Sequence, residues 1–529
     1  MAIRRRLTSI DPDRAAMTAL AAAAIVARVL PGTRTIDDAY ITFRYARNIV
    51  NGLGFVYNPG QTVLGTTTPL FTGLMALLSF ITGRGAFPGF ALFVSALADA
   101  VTCVLLYRLA RRLTGARLPG LAVGALWAVA PMSVTFAIGG METSIFIMLM
   151  MLTFWLHIKG WGCRAALTAA LGVLARPDAL LWAGLVFAHQ LWVRVRRAQR
   201  EGVGNAPNAL LAVLPWRTWA VFAAVLLPWV LFAFAYFGSP LPRSVGAKTL
   251  TYTLPTGATL TRLIQHFATP FFEYDILGAL GTAVGMVLYP MLFAIGALSL
   301  TRGTRGDGRA LPMLVYPWIY AALFAITNLL LFRWYLAPPL PVYFLGIVAG
   351  VWVITGAVRR QSLQRAIFTV VALGWLVLTL NAWELHPDHG SDRPAPEMAF
   401  IKLELLYEQV GRALAGEYGV TAETVVSAGD IGALGYFSGA VIFDTIGLVT
   451  PEAGAYYPVD PELIAPGNNY AVPPALVLDA APDYLVIVES YGRLGLMQTP
   501  GFLARYELIE TLETDIYESY GMQVFRRRD

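Results

Sequence analysis

Long apolar runs separated by short basic loops dominate the first 380 residues. Runs near 16–31, 87–108, 118–137, 143–158, 164–175, 178–193, 218–237, 277–300, 311–331, 338–357 and 366–383 approach the roughly 20 residues a membrane-spanning helix needs. They predict a polytopic α-helical membrane protein with about eleven spans. The run 69–82, PLFTGLMALLSFIT, is short for a span and reads as a half-inserted or surface helix. Near residue 384 the pattern changes. A polar, proline-containing stretch, HPDHGSDRPAPE, is followed by strand-like runs TVVSAG (424–429), AVIFDTIGLV (440–449) and DYLVIVES (483–490). Helical or loop pieces separate these runs, which predicts a small α/β domain. The expected division is therefore a membrane domain over 1–383, with a large loop at 32–86, and an α/β domain over 384–529.

Composition agrees with that division. The chain is 57% hydrophobic and 14% charged, with 13 Trp and 28 Phe. A soluble domain carries about 25% charged residues. The net charge of +6 is scattered through short loops, so it points to membrane orientation rather than nucleic-acid binding. Cys103 and Cys163 lie in or beside apolar runs, which argues against a disulfide framework or a Cys-based metal site. The basic, then alanine-rich N-terminus resembles a signal peptide, but its run ends in Arg28 and Pro31 and further spans follow, so cleavage is not expected. No internal repeat, Walker A sequence, HExxH or well-placed Rossmann fingerprint is present. The glycines of GALGTAVG (278–285) read as helix-packing positions.

Basic residues fall unequally on alternate loops. One side holds Arg4, Arg5, Arg6, Arg14, the cluster from Arg108 to Arg117, Lys159, Arg164, the cluster from Arg194 to Arg217, Arg302, Arg305, Arg309, Arg359, Arg360 and Arg365. The other side, including Arg28, Arg34 and Arg84, holds about half as many. The positive-inside rule makes the first side cytoplasmic. The loop RTIDDAYITFRYARNIVNGLGFVYNPG (34–60) and the α/β domain are then extracytoplasmic.

That side carries the candidate chemistry. Asp37 and Asp38 open a helix over roughly 38–51. Thr35–Asp38 fits a capping box, and acids suit a helix N-terminus; a carboxylate held there also suits a general base or a metal ligand. The helix alternates Ala39, Phe43, Ala46, Ile49 and Val50 with Tyr40, Arg44, Arg47 and Asn51. This predicts an interfacial helix whose arginines meet water or lipid headgroups. Glu142 in IGGMETS reads as a helix cap or site acid. Arg176 and Asp178 in LARPDALL form a pair beside a proline, structural or functional. Arg243, Ser244 and Lys248 share the loop FGSPLPRSVGAKTL, and Arg333 sits among aromatic anchors in LLFRWYLAPP. Two or three acids beside several cations at the lipid boundary suit a reaction in which a lipid phosphate delivers a group to a hydroxyl.

The block DDAYITFRYARNIVNGLGFVYNPGQTVLGTTTPL resembles the first outer loop of the GT-C membrane glycosyltransferases, which use polyprenyl-phosphate sugar donors. The nearest resemblance is to the actinobacterial cell-wall arabinofuranosyltransferases. Protein O-mannosyltransferases and lipid A aminoarabinose transferases are more distantly similar. GGMETSIF, ARPDALL, SPLPRSVGAK and IFDTIGLVTP match further blocks in the same order. The resemblance implies Asp37 as the base on the acceptor hydroxyl, with Asp38 as the alternative, and Lys248 on the donor phosphate. Arg243 and Arg333 are further phosphate candidates, with Arg44, Arg47, Glu142, Arg176 and Asp178 in support. GQTVLGTTTPL departs from VEGYTNPL, which many relatives carry there.

The resulting expectation is an inverting sugar transfer from a polyprenyl-phosphate donor to a cell-envelope glycan, lipid or protein. It takes place at the outer face of the plasma membrane, with no organic cofactor and a divalent metal as an open role for the acids. The rival is a transporter or lipid flippase, whose charges lie near the midplane of repeated, broken helices. A non-enzymatic scaffold is the third reading.

Overall fold

The computed structural model describes residues 11–201, 213–302 and 308–528. The basic residues Arg4, Arg5, Arg6 and Arg305 lie outside the described residues. Each of the eleven apolar runs is helical: α1 (Pro12–Val29), α4 (Phe87–Thr114), α5 (Arg117–Val129) with α6 (Pro131–Ile138), α7 (Thr143–Ile158), α8 (Gly162–Ala175), α9 (Ala179–Arg200), α10 (Trp216–Phe237), α13 (Tyr274–Arg302), α14 (Leu311–Thr327), α15 (Leu340–Thr355) and α16 (Gln361–Asn381). Among the described residues, α4, α10, α13 and α16 are each long and apolar enough to cross a membrane. The expected span 118–137 is instead a pair, α5 and α6, bent by 45°. Pro131 begins the second half, where a missing N–H and a rigid ring break the helical ladder.

Carbonyls freed near that bend are used. Arg28, expected as an outer-side cation, is fully buried and donates to Asp99 on α4 at 3.0 Å, to the Ala128 carbonyl and to Ser133. Ser144 on α7 donates to the same Asp99 oxygen at 2.9 Å. One buried ion pair thus ties α1, α4, the α5–α6 bend and the start of α7. Removing one partner of such a pair costs about 3–5 kcal/mol, because the other charge is left desolvated and alone.

Between these elements lie α2 (Asp37–Val50), α3 (Pro69–Thr82), α11 (Arg243–Thr251) and α12 (Ala258–Ala268). The C-terminal residues fold as an α/β unit. A short antiparallel pair, β1 (Trp383–Glu384) with β2 (Ala395–Pro396), brackets the polar stretch. Beyond it a five-stranded sheet has the order β4-β3-β5-β7-β6. Strands β3 (Val425–Ala428), β4 (Val441–Asp444) and β5 (Tyr484–Val488) are the three strand-like runs and pair in parallel. Strands β6 (Tyr506–Leu512) and β7 (Met522–Arg527) extend the sheet antiparallel. The edge strand β4 is closed by a side chain from the distant loop after α2. Asn58 donates to the Ile442 carbonyl at 2.8 Å and accepts the Ile442 N–H at 3.0 Å, as a neighbouring strand would.

That contact is part of why α2 is not interfacial. Helices α17 (Lys402–Gly416) and α18 (Gly432–Ser438) belong to the C-terminal unit, and α18 packs onto α2. Tyr40, Phe43, Tyr45 and Arg44 are all buried. Arg44 donates to the carbonyls of Tyr57, Gly435 and Ala440 and to the Asn58 side chain. Arg47 donates to the Tyr436 carbonyl at 2.9 Å and lies over the Tyr436 ring. The face expected to meet headgroups instead meets protein. A guanidinium's five donors satisfy backbone carbonyls as readily as phosphates.

Candidate active site

Helix α2 starts after Ile36 with no side-chain cap, so the capping box expected at Thr35–Asp38 does not form. The two acids of its first turn point to different places. Asp37 is buried and accepts the N–H groups of Gly432 at 2.8 Å and Ala433 at 2.7 Å, the first turn of α18. It caps a helix almost 400 residues away rather than its own. The fit is close: a Cβ on Gly432 would lie 1.8 Å from the Asp37 carbonyl oxygen. Burial, then the nearby Asp430 carboxylate, hold Asp37 above the usual carboxylate range, against the pull of the two N–H bonds. Asp37 is not among the residues lining the cavity described next.

Asp38, one position on, faces that cavity. Its volume is about 250 Å³, and Asp38, Glu142, Arg176, Asp178, Ser244 and Lys248 line it with threonines 66–68 and Trp334. Lys248, in the last turn of α11, donates to Asp38 Oδ2 at 3.3 Å and lies 4.1 Å above the Phe332 ring. Burial alone would lower the Lys248 ammonium; Asp38, joined by Tyr335 and Asp444, more than offsets this and raises it, so it stays charged.

Arg176 ends α8 in an extended conformation, as a residue before proline prefers. This turn aims its guanidinium at both neighbouring acids. Nε and Nη2 make a two-pronged contact with Asp178 at 3.0 and 2.8 Å, and Nη1 lies 3.7 Å from Glu142. Glu142 makes no capping bond to α7, contrary to the cap reading. Burial holds its carboxyl above the usual range, opposed by Arg176. Arg176 Nη1 and Ser244 Oγ are both buried without a hydrogen-bond partner, and both residues line the cavity. Native structures rarely leave such atoms unsatisfied unless a ligand or water meets them.

The remaining candidates fall elsewhere. Arg243 begins α11 and lines a separate cavity of about 490 Å³ on the other side of that helix, with Thr62, Ser239 and Gly447. Arg333 donates to the Met398 carbonyl at 2.6 Å and stacks on Phe400 at 4.1 Å. It ties the helical part to the C-terminal unit and does not line the Asp38 cavity. Arg44 and Arg47 are held as described above. Among the described residues, no group of three or more His, Cys, Asp or Glu is arranged to hold a metal ion.

Two features were not singled out from sequence. Asp444, at the end of β4, accepts N–H bonds from Ile446, Leu448 and Val449, and so folds the IGLV loop that brings Leu448 to the cavity. Burial pushes its carboxyl up to about 6. The second is an apolar groove of about 620 Å³ lined by Pro69, Leu70, Leu74 and Leu77 of α3, residues of α4, and Ile145 and Met148 of α7. Thr68 and Glu142, immediately before α3 and α7, line the polar cavity. The same two helices therefore carry a charged chamber at their starts and an apolar channel along their lengths.

Comparison with known proteins places the architecture. The crystal structure of ArnT from Cupriavidus metallidurans bound to undecaprenyl phosphate matches with a TM-score of 0.53 at 14% identity, over 97% of both chains. The apo structure of the same protein gives 0.54 at 11% identity, again over 97% of both chains. The chain has the fold of this GT-C glycosyltransferase and, with its long apolar helices, is a multi-pass membrane protein. In sequence it is 28% identical over 226 residues to the terminal β-(1→2)-arabinofuranosyltransferase of Mycobacterium tuberculosis (strain ATCC 25618 / H37Rv). That match covers 40% of this chain and 34% of the relative. Residues 398–525 match a domain of unknown function, DUF8728.

Proposed function

We propose that the protein transfers a sugar from a polyprenyl-phosphate donor to a hydroxyl acceptor. The observation that carries this is that α3 and α7 carry both sites in succession: Thr68 and Glu142 line the charged Asp38 cavity, and Pro69, Leu70 and Ile145, one to three residues on, line the apolar groove. A ligand with an anionic head and a long hydrocarbon tail suits this pairing of a charged chamber with an apolar groove; a soluble nucleotide sugar has no use for the groove. Burial of an isoprenoid in that groove supplies about 0.8 kcal/mol per CH₂. The resemblance to a protein crystallised with undecaprenyl phosphate and to an arabinofuranosyltransferase favours the same reading.

In this reading Lys248 and Arg176 bind the donor phosphate, with Ser244 and the spare Arg176 Nη1 as added donors. Charge-assisted contacts of this kind stabilise the negative charge that builds on the departing phosphate. Lys248 then exchanges Asp38 for the phosphate. The freed Asp38 carboxylate takes the proton of the acceptor hydroxyl as that oxygen attacks the anomeric carbon. Attack opposite the leaving phosphate inverts the anomeric centre. Asp37, Arg44 and Asn58 position the C-terminal unit over this chamber. With eleven crossings, the cavity and the α/β unit lie on the extracytoplasmic face, at the plasma membrane. A transporter is disfavoured because the cavity charges gather at helix ends rather than midway along broken repeats.

The test is transfer by the purified, lipid-reconstituted protein. It should move labelled pentose or hexose from decaprenyl or undecaprenyl phosphate to a glycan acceptor, with product of inverted anomeric configuration by NMR. Absence of transfer across a panel of such donors, with export of an intact lipid-linked sugar instead, would replace this reading with the flippase.

A further inference from the structure

Two backbone segments bring acids to the cavity: residues 34–36 lead to Asp38, and the turn 139–142, between α6 and α7, carries Glu142. The segments lie against each other. The Arg34 N–H donates to the Ile138 carbonyl at 2.8 Å, and the Ile36 N–H donates to the Gly139 carbonyl at 3.0 Å. These two bonds fix the backbone immediately before Asp37 and Asp38. The contact is close: a Cβ on Gly139 would lie 2.6 Å from Ile36 Cδ1. Further along the same turn, Met141 and Glu142 line the cavity, and Glu142 faces Arg176.

One buried ion pair holds this turn from both ends. Arg28 donates to Ser133, in the first turn of α6, and Ser144, in the first turn of α7, donates to Asp99 at 2.9 Å. Arg28 and Asp99 meet at 3.0 Å with side chains 0% and 1% exposed. A buried ion pair adds little net stability over apolar residues of the same volume. Charges inside apolar helices mark function by default. Apolar side chains would pack α1 against α4 equally well. They would not reach a serine on each side of the turn with a directed hydrogen bond.

We infer that Arg28, Asp99, Ser133 and Ser144 are positioning residues that set the spacing between Asp38 and the Glu142–Arg176 pair. Through Ser133 the ion pair holds α6, and the Ile138 and Gly139 carbonyls at the end of that helix hold the segment before Asp38. Through Ser144 it holds the start of α7, and with it Glu142 against Arg176. None of the four residues lines the cavity, so each acts through its neighbours. The inference rests on the sugar-transfer reading for the roles of Asp38 and Arg176.

Replacing Arg28 or Asp99 strands a buried charge and reports on folding, so the two serines carry the test, in the full-length protein in nanodiscs. Ser133→Ala loosens the base. It should lower kcat about ten- to hundredfold, as a small misplacement of a reacting group does, with donor KM near wild type. Ser144→Ala loosens the phosphate site. It should raise donor KM about three- to tenfold, the effect of one weakened hydrogen bond, with a smaller change in kcat. Binding of undecaprenyl phosphate needs no turnover. It should be as tight in Ser133→Ala as in wild type and about three- to tenfold weaker in Ser144→Ala. Wild-type kinetics in both variants, or a parallel loss of kcat and donor affinity in both that follows Tm, would overturn the inference and leave the sugar-transfer reading intact. A wild type that binds undecaprenyl phosphate but transfers no sugar removes that reading. Split affinities of the two variants then still support the positioning network, and equal ones overturn it.

Discussion

Lys248 and Asp38 are 210 residues apart in the chain and 3.3 Å apart in the fold. The pair sets a cation for a phosphate beside a carboxylate for a hydroxyl, in one cavity with a second cation, Arg176. A charge pair at 21% and 30% side-chain exposure is part-solvated, so the exchange of Asp38 for an incoming phosphate is feasible without unpairing a fully buried ion.

The two adjacent acids should separate by experiment. Asp38→Asn is expected to lower transfer by about 10²- to 10⁴-fold, the range of general-base catalysis, with little change in Tm. Asp37→Asn keeps one acceptor oxygen for the start of α18 and should retain most activity. Asp37→Ala removes the cap and should destabilise by about 0.5–2 kcal/mol. Thermal unfolding followed beside single-turnover transfer measures both. A Tm loss in Asp38→Asn with full transfer would reverse the two roles.

Lys248→Ala should weaken use of the lipid donor. A lost charge-assisted contact costs about 1.5–3 kcal/mol, which is roughly tenfold or more in kcat/KM for donor. Arg243→Ala, in the neighbouring cavity, should leave donor kinetics near wild type. Donor titrations of the two variants in parallel decide between the cavities.

Asp430 predicts a pH dependence of stability. Burial, the largest cause, raises its folded pKa to about 6 from an ordinary 3.8. The folded state then binds more protons than the unfolded chain between those values, so its contribution is fully present below about pH 4 and is lost as pH rises through 6. Asp430→Asn cannot ionise. Its Tm relative to wild type should therefore rise from pH 4 to pH 7, and a Tm difference flat with pH would contradict the assignment.

Orientation can be read with introduced cysteines in a Cys163→Ser background, since Cys163 is exposed and Cys103 buried. Glu423→Cys and Gln199→Cys both sit at exposed positions. An impermeant maleimide should label residue 423 in intact cells and residue 199 only after permeabilisation. The opposite pattern would invert the topology and place the cavity in the cytoplasm.

The linear pattern of apolar runs determined that this chain is helical and membrane-embedded over its first 380 residues, because the length of an apolar run is a local property that lipid selects directly. It also determined the three parallel strands, whose β-branched runs are bounded by polar residues. It brought forward Asp37, Asp38, Glu142, Arg176, Asp178 and Lys248 because charges next to apolar runs are conspicuous. Asp99, an acid inside such a run, carried the same signal. Which acid faces the cavity was beyond it. Asp37 and Asp38 are chemically identical neighbours, and about 100° of helical rotation separates a side chain under α18 from one facing Lys248. The role of Arg44 was likewise decided in three dimensions, where backbone carbonyls from residues 57, 435 and 440 converge on it. Tyr252, Tyr470 and Tyr491 likewise meet only in the fold, ring against ring at 5.8 and 4.5 Å. Each is an ordinary aromatic in the chain, and proximity across hundreds of residues leaves no mark on local pattern.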